Sequence, residues 1–222
     1  MTYELNKAGY GNARLMPIST TYAEAQIQVE GLMERFAKLS ARNRRRYNEP
    51  ATRQEFILPL FRALGWNVED TREVSPEQRV SRGFVDFAFR LGGIPRFFLE
   101  TERIPENLED PRWARQAINY AWLKSVTWAV LTDFEGLKVF NAEWQETIPI
   151  RAIFKDLHWK NYLDCFDDLW LLSRPAMEEG ALDQAAEAVG KKVKKTPVSR
   201  QLFADSTTSM TPASSPPTSA RS

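Results

Sequence analysis

Residues 83–103 read GFVDFAFRLGGIPRFFLETER, and the alternation within them decides the fold. Two apolar, β-rich runs flank Leu91, Gly92, Gly93, Ile94 and Pro95, a turn composition, so the stretch predicts two strands joined as a hairpin. Side chains on a strand alternate between faces, which groups Phe84, Asp86, Ala88 and Arg90 on the first strand. On the second, Phe98, Glu100 and Glu102 share a face, with Phe97, Leu99 and Thr101 opposite. Three carboxylates, at Asp86, Glu100 and Glu102, are therefore placed to meet on one side of the hairpin. Burying unpaired carboxylates costs on the order of several kcal/mol each. A divalent cation offsets that cost, and hard oxygen ligands of this kind suit magnesium.

Asp86, thirteen residues, then Glu100-Thr101-Glu102 resembles the metal-binding core of the PD-(D/E)xK nuclease superfamily. The surrounding blocks point the same way: residues 48–57 (NEPATRQEFI), Ala63-Leu64-Gly65-Trp66, Val85-Asp86-Phe87 and Leu131-Thr132-Asp133. They resemble the N-terminal nuclease domains of type IIG restriction-modification polypeptides and the restriction subunits of type I systems, over roughly residues 22–180. The resemblance implies an α/β fold, a restriction-endonuclease-like mixed β-sheet flanked by helices with a helical C-terminal extension. It implies a Mg2+-dependent endodeoxyribonuclease, with Asp86, Glu100 and Glu102 catalytic and Asp86 and Glu100 holding the metal. One position departs from the pattern: Glu102 stands where the family usually has lysine. Some restriction enzymes of the superfamily carry glutamate there. The change removes the group expected to orient or polarise the attacking water, a task left to Glu102. Arg103 projects to the opposite face and Arg96 lies well before Glu100, so neither takes its place. The rival reading is a catalytically silent module that binds DNA or docks to a partner subunit, its acids kept only as ancestry.

Upstream, Ile27, Leu32, Phe36 and Leu39 recur at helical spacing within residues 22–46. The segment ends in RNRRR, where Arg44, Arg45 and Arg46 are either a solvated helix end complementing the macrodipole or contacts to DNA phosphates. Asn48 and Pro50 open a second helix that runs to about Leu64, where Gly65 stops it. Glu49 lies two turns before Phe56 on the core-facing side. It is either a third metal ligand, by resemblance to an acid on the first core helix of related nucleases, or a first-turn acid favoured by the helix dipole. Trp66 and Val68 read as a short strand, followed by a polar loop.

Beyond the hairpin, Asp110-Pro111 opens a helix on which Gln116 and Tyr120, four apart, share a face. This pair resembles a Gln-x-x-x-Tyr motif that follows the catalytic strand in many of these nucleases, beside the nucleic acid. Residues 126–132 read as a buried central strand, Asp133 as a turn-capping acid, and residues 137–140 as the return strand. Residues 153–172 form an aromatic-rich amphipathic stretch and residues 177–189 a further helix. The chain thus divides into a poorly ordered lead-in (1–21), a nuclease-like α/β domain (22–150), a helical extension (151–190), and a basic segment with a disordered tail (191–222). In the tail, ten of the last seventeen residues are Ser or Thr, too few apolar groups to offset the entropy of ordering.

Composition bounds the rest. A chain of 222 residues with net charge +1 offers no bulk electrostatic pull on nucleic acid, so any basic surface is local. One cysteine, Cys165, excludes an internal disulfide framework and suits a reducing cytoplasm. With His158 as the sole histidine, zinc lacks ligands and a thiol-imidazole pair reads as packing. The first residues lack a basic segment followed by an apolar core and no apolar run reaches about eighteen residues, so neither a signal peptide nor a membrane span is expected. No Asn-Pro-Pro-Tyr motif or Gly-rich cofactor loop is present, so methylation is not expected. The expected partners are DNA, a methyltransferase or specificity subunit, and a second copy in a homodimer. The chain reads as a truncated or frameshifted relative of a longer restriction-modification protein.

Overall fold

The computed structural model describes residues 20–192, apart from 81–82, 105 and 144–148. Residues 1–19 of the lead-in, the end of the basic segment and the tail lie outside the described residues, as does the side chain of Phe84. Six strands form one mixed sheet in sequence order: β1 (Val74–Val80), β2 (Gly83–Leu91), β3 (Ile94–Thr101), β4 (Trp128–Thr132), β5 (Gly136–Asn141) and β6 (Ile153–His158). All neighbours pair antiparallel except β3 and β4, which run parallel. A parallel pair needs a crossover, and α5 (Pro111–Leu123), capped by Asp110, supplies it. This is the α/β mixed sheet flanked by helices that the sequence implied.

The hairpin closes in two residues. Gly92 and Gly93 have φ of +57° and +82°, the pair of positive values that a tight turn between right-twisted strands demands. Leu91, Ile94 and Pro95 belong to the strands rather than the turn. Across the hairpin Phe89 faces Phe97, their rings stacked at 4.4 Å.

The sheet is buried on both faces, and its residues alternate between two apolar clusters. Phe87, Phe89, Phe97, Leu99, Val130 and Val139 pack with Phe36 of α1 (Tyr22–Ala37) and with Phe56, Leu60 and Phe61 of a helix over residues 49–63. Ala88, Phe98, Ala129, Leu131 and Phe140 pack with Ala114, Ala117, Ile118 and Ala121 of α5. Alanines at this spacing let α5 lie close to the sheet.

Several elements differ from the sequence reading. Residues 22–46 hold two helices, α1 with a Thr21/Glu24 capping box and the short α2 (Ala41–Arg44) capped by Ser40. Trp66 and Val68 form no strand. Trp66 is buried in the core and its indole N–H donates to the Leu172 carbonyl at 2.8 Å. The polar loop after it contains β1 instead. Residues 153–158, read as part of a helical extension, are the edge strand β6, followed by a short 3-10 turn (Trp159–Asn161) and then α6 (Phe166–Trp170). The last helix is two, α7 (Arg174–Glu179) and α8 (Ala181–Ala188), divided at Gly180 with φ +70°.

The helix over 49–63 is itself composite: α3 (Glu49–Thr52), a π-helical turn (Arg53–Ile57) and α4 (Leu58–Ala63). Pro59 has no N–H to give to a preceding carbonyl. The widened turn lies immediately before it, and the Leu58 N–H reaches back five residues to the Arg53 carbonyl. Such turns are an ordinary way of absorbing a proline in a helix, and they re-aim the side chains they carry.

Candidate functional site

The carboxylates gather where β3 ends, between the layer carrying residues 49–57 and the layer of α5. Glu100, the penultimate residue of β3, is 4% exposed. One of its oxygens, Oε2, accepts a 3.3 Å hydrogen bond from the Gln116 amide on α5. The other, Oε1, is buried without a hydrogen-bond partner. Burial pushes the Glu100 carboxyl up to about 9, and the nearby charges of Asp86 and Glu102 push the same way, opposed by Gln116 and Arg53. A buried acid in this condition either keeps its proton or requires a cation.

Asp86, on β2, is held quite differently. Its Oδ2 accepts from both the Thr101 N–H and the Thr101 hydroxyl, each at 2.8 Å. Its Oδ1 pairs with the Arg53 guanidinium at 2.5 Å. Arg53 also donates to the Thr101 hydroxyl at 2.5 Å and to Glu49, one turn earlier on the same helix. Asp86, Thr101 and Arg53 therefore close a ring at the head of the π-helical turn.

Glu102 lies just past β3, its N–H donating to the Thr132 carbonyl at 2.9 Å. It is half-buried, and its carboxyl is pushed up to about 7 by burial, then by Glu49, Glu106 and Asp86, against Arg112. Tyr120 on α5 is half-buried, and its hydroxyl is raised by burial and by the charges of Glu100 and Asp86. The fold thus brings Asp86, Glu100, Glu102, Glu49, Gln116 and Tyr120 into one neighbourhood. Arg53 and Thr101 are additions that the sequence reading missed. Neither has a spacing signal, although Arg53 lies inside the NEPATRQEFI block.

The arginine run divides. The Arg44 guanidinium stacks over the Phe36 and Trp159 rings at 4.2 and 5.2 Å, and it donates to the Phe36 carbonyl at 3.2 Å and to Glu135 at 3.4 Å. Its guanidinium is thus engaged within the fold, at a position that the sequence left between a solvated helix end and a phosphate contact. Arg45 and Arg46 are exposed.

Among the described residues no three acidic, histidine or cysteine side chains stand together as a metal-holding group. Arg53 accounts for part of this, since its cation occupies the side of the cluster where Asp86 and Glu49 meet. The donor chemistry itself suits a hard cation: carboxylate oxygens, one of them buried and unpartnered among the described residues, with burial first and neighbouring negative charge second raising the pKa of Glu100 and Glu102. Asp86 and Glu100, with Glu49 at the rim, are the residues that would hold such an ion.

Fold and site together define a mixed α/β domain with an acidic cluster at the end of a central strand. No family model matches the chain. It is 26% identical over 168 residues, covering 67% of this chain, to the type II restriction enzyme and methyltransferase RM.Eco57I of Escherichia coli. The chain spans 17% of that relative's length. Among solved structures, the type IIG restriction endonuclease BpuSI aligns over 79% of this chain and 17% of its own, with 12% identity and a TM-score of 0.38. Among the described residues no helix is long and apolar enough to cross a membrane.

Proposed function

We propose that this chain is a restriction-type DNA endonuclease domain that hydrolyses phosphodiesters with the help of a magnesium ion. The observation that carries the reading is the buried, unpartnered Glu100 oxygen beside Asp86 and Glu102 at the end of β3. Sequence similarity to RM.Eco57I supports the restriction context. A divalent ion, when bound, would polarise the scissile phosphate and lower the pKa of a coordinated water. Asp86 and Glu100 would hold that ion, with Glu49 as a rim ligand. Glu102 orients the attacking water and takes its proton as the new P–O bond forms and the opposite one breaks. Gln116 fixes Glu100 in place through its amide, and Tyr120 lines the same wall beside the scissile strand. DNA is the partner of the site. A methyltransferase or specificity module, and a second copy for double-strand cleavage, belong to the same reading.

A second reading has its own support. Both oxygens of Asp86 are already engaged by Arg53 and Thr101, as in a module that kept the acids and lost the metal. Cleavage of supercoiled plasmid DNA separates the two. With Mg2+ the wild type is expected to nick the plasmid, with EDTA it does not, and Asp86→Ala and Glu100→Ala each lower the rate by at least a hundredfold. Absence of nicking by folded wild-type protein in Mg2+ or Mn2+, alone and with a methyltransferase partner added, selects the silent module.

A further inference from the structure

The acidic cleft already holds a cation, and it is Arg53. The guanidinium reaches from the π-helical turn to Asp86 Oδ1, to the Thr101 hydroxyl and to Glu49. A carboxylate offers about four lone-pair sites, and three on Asp86 are taken: one by Arg53 and two by Thr101. The Thr101 amide belongs to the β3 backbone and is fixed. Arg53 is a side chain, less than a quarter exposed, with its guanidinium carbon over the Phe87 ring, 5.7 Å from the ring centroid. It is the partner of Asp86 that can leave. Arginine does not give up its proton, so it frees a carboxylate only by moving.

A dication on Asp86 would stand within a few ångströms of that guanidinium, and like charges at such range repel strongly in a half-buried site. Beside them, Glu100, 4% exposed, presents an oxygen that has no hydrogen-bond partner among the described residues. The cleft therefore has one acid in direct contact with an internal cation and another that feels the same cation only at a distance. The guanidinium, in turn, has a planar fork of donors that fits two phosphate oxygens as well as it fits carboxylates.

Building on the metal-dependent nuclease reading, we propose that Arg53 and the divalent ion compete for Asp86. Arg53 holds Asp86 in the free protein. When DNA binds, the guanidinium passes to the scissile phosphate and opens Asp86, beside the unpartnered oxygen of Glu100, to the ion. Arg53 then supplies the positive charge that the absent lysine would have brought. Metal and DNA bind with positive coupling, equal in the two directions because linkage is reciprocal.

The test is Mn2+ binding to the full chain, read by electron paramagnetic resonance of the free ion, with and without duplex DNA. Without DNA, Arg53→Gln is expected to bind Mn2+ at least tenfold more tightly than the wild type. Arg53→Lys, which keeps the charge and loses the fork, is expected to stay near the wild type. Adding duplex is expected to tighten Mn2+ binding by the wild type more than binding by Arg53→Gln, which has no internal cation to displace. Should the glutamine variant not fold, Arg53→Met, which retains an apolar stem over Phe87, carries the same expectation. Unchanged or weaker Mn2+ binding by a variant with the wild-type melting temperature overturns the proposal and leaves the nuclease reading standing. No Mn2+ binding by any of the proteins, with or without DNA, removes the metal-dependent reading and the proposal with it.

Discussion

Asp133 shows how the interior of the sheet sets the charge of a single side chain. The sequence reads it as a turn cap, and its Oδ1 accepts the Gly136 N–H at 2.7 Å. It is also 3% exposed, and burial pushes its carboxyl from the ordinary 3.8 up to about 8, against the backbone hydrogen bonds that oppose the shift. Between those two values the folded chain keeps a proton that the unfolded chain has lost. The stability this proton confers is complete below the unfolded pKa and falls as pH rises through the folded one, by at most about 1.4 kcal/mol per pH unit for one group. Asp133→Asn keeps an oxygen for the Gly136 N–H and has no charge to bury. Urea unfolding across pH 4–8 is expected to show a shallower decline for the variant and greater stability than the wild type at the upper end. Parallel curves would mean that Asp133 is ionised throughout. Single residues also show what a sequence conceals. Asp86, Glu100 and Glu102 were legible because period-two alternation places them on a hairpin face. Arg53 was not, because its meeting with Asp86 depends on how a helix in one layer is rotated against a strand end in another.

Elements were legible in proportion to how local their causes are. Asn48 and Pro50 announced the start of the helix over 49–63, and the Asn48 side chain accepts the Ala51 N–H at 2.9 Å. Gly92 and Gly93 announced the hairpin. β1 was hidden because Ser75, Pro76, Glu77, Gln78 and Arg79 carry no apolar alternation. It is an edge strand, added by pairing with β2, and proline is tolerated in such a position. β6 was hidden for the opposite reason: Ile153, Phe154 and Leu157 fit a helical stripe as well as a strand, and only pairing with β5 decides between them. The π-helical turn before Pro59 bears on the site, because an extra residue in a turn rotates the preceding part of the helix by about 100° against the part after it. Glu49 and Arg53 stand on the rotated side. Asn48→Ala removes the cap of that side and is expected to cost about 1 kcal/mol of stability, measured by urea denaturation. Asn48→Asp, which keeps the cap, is expected to cost little. Because the cap anchors the turn bearing Glu49, the alanine variant should also loosen the hold on Arg53, seen as faster amide exchange of Arg53. Equal stability of the two variants would place the anchor of this helix elsewhere, with Thr52, whose hydroxyl accepts the Ile104 N–H.

For the molecule as a whole, a net charge of +1 means that the DNA binding proposed above has to come from how cations are placed. Many cations near the site are already committed: Arg44 to aromatic rings and Glu135, Arg103 and Arg112 to Glu106, and Arg53 to Asp86 and Glu49. Arg45 and Arg46 are exposed on the turn after α2, and Arg45 lines a surface pocket with Leu39, Arg44, Ile104 and Glu135. Ile104 lies two residues beyond Glu102, so this pocket adjoins the acidic cleft along the chain. If duplex DNA runs from the cleft across it, Arg45 and Arg46 neutralise two phosphates. Each neutralised phosphate contributes about 0.9 to the slope of log affinity against log salt. Fluorescence anisotropy of a labelled duplex in EDTA, over a range of salt concentrations, measures that slope. The double variant Arg45→Ala, Arg46→Ala is expected to flatten it by about 2 and to weaken binding to all duplexes alike, because phosphate contacts carry no base information. Arg44→Ala is expected to act on stability instead, since its guanidinium is packed against Phe36 and Trp159. A slope unchanged in the double variant would take the DNA path off this face, leaving the exposed arginines as the solvated end of α2 and its turn.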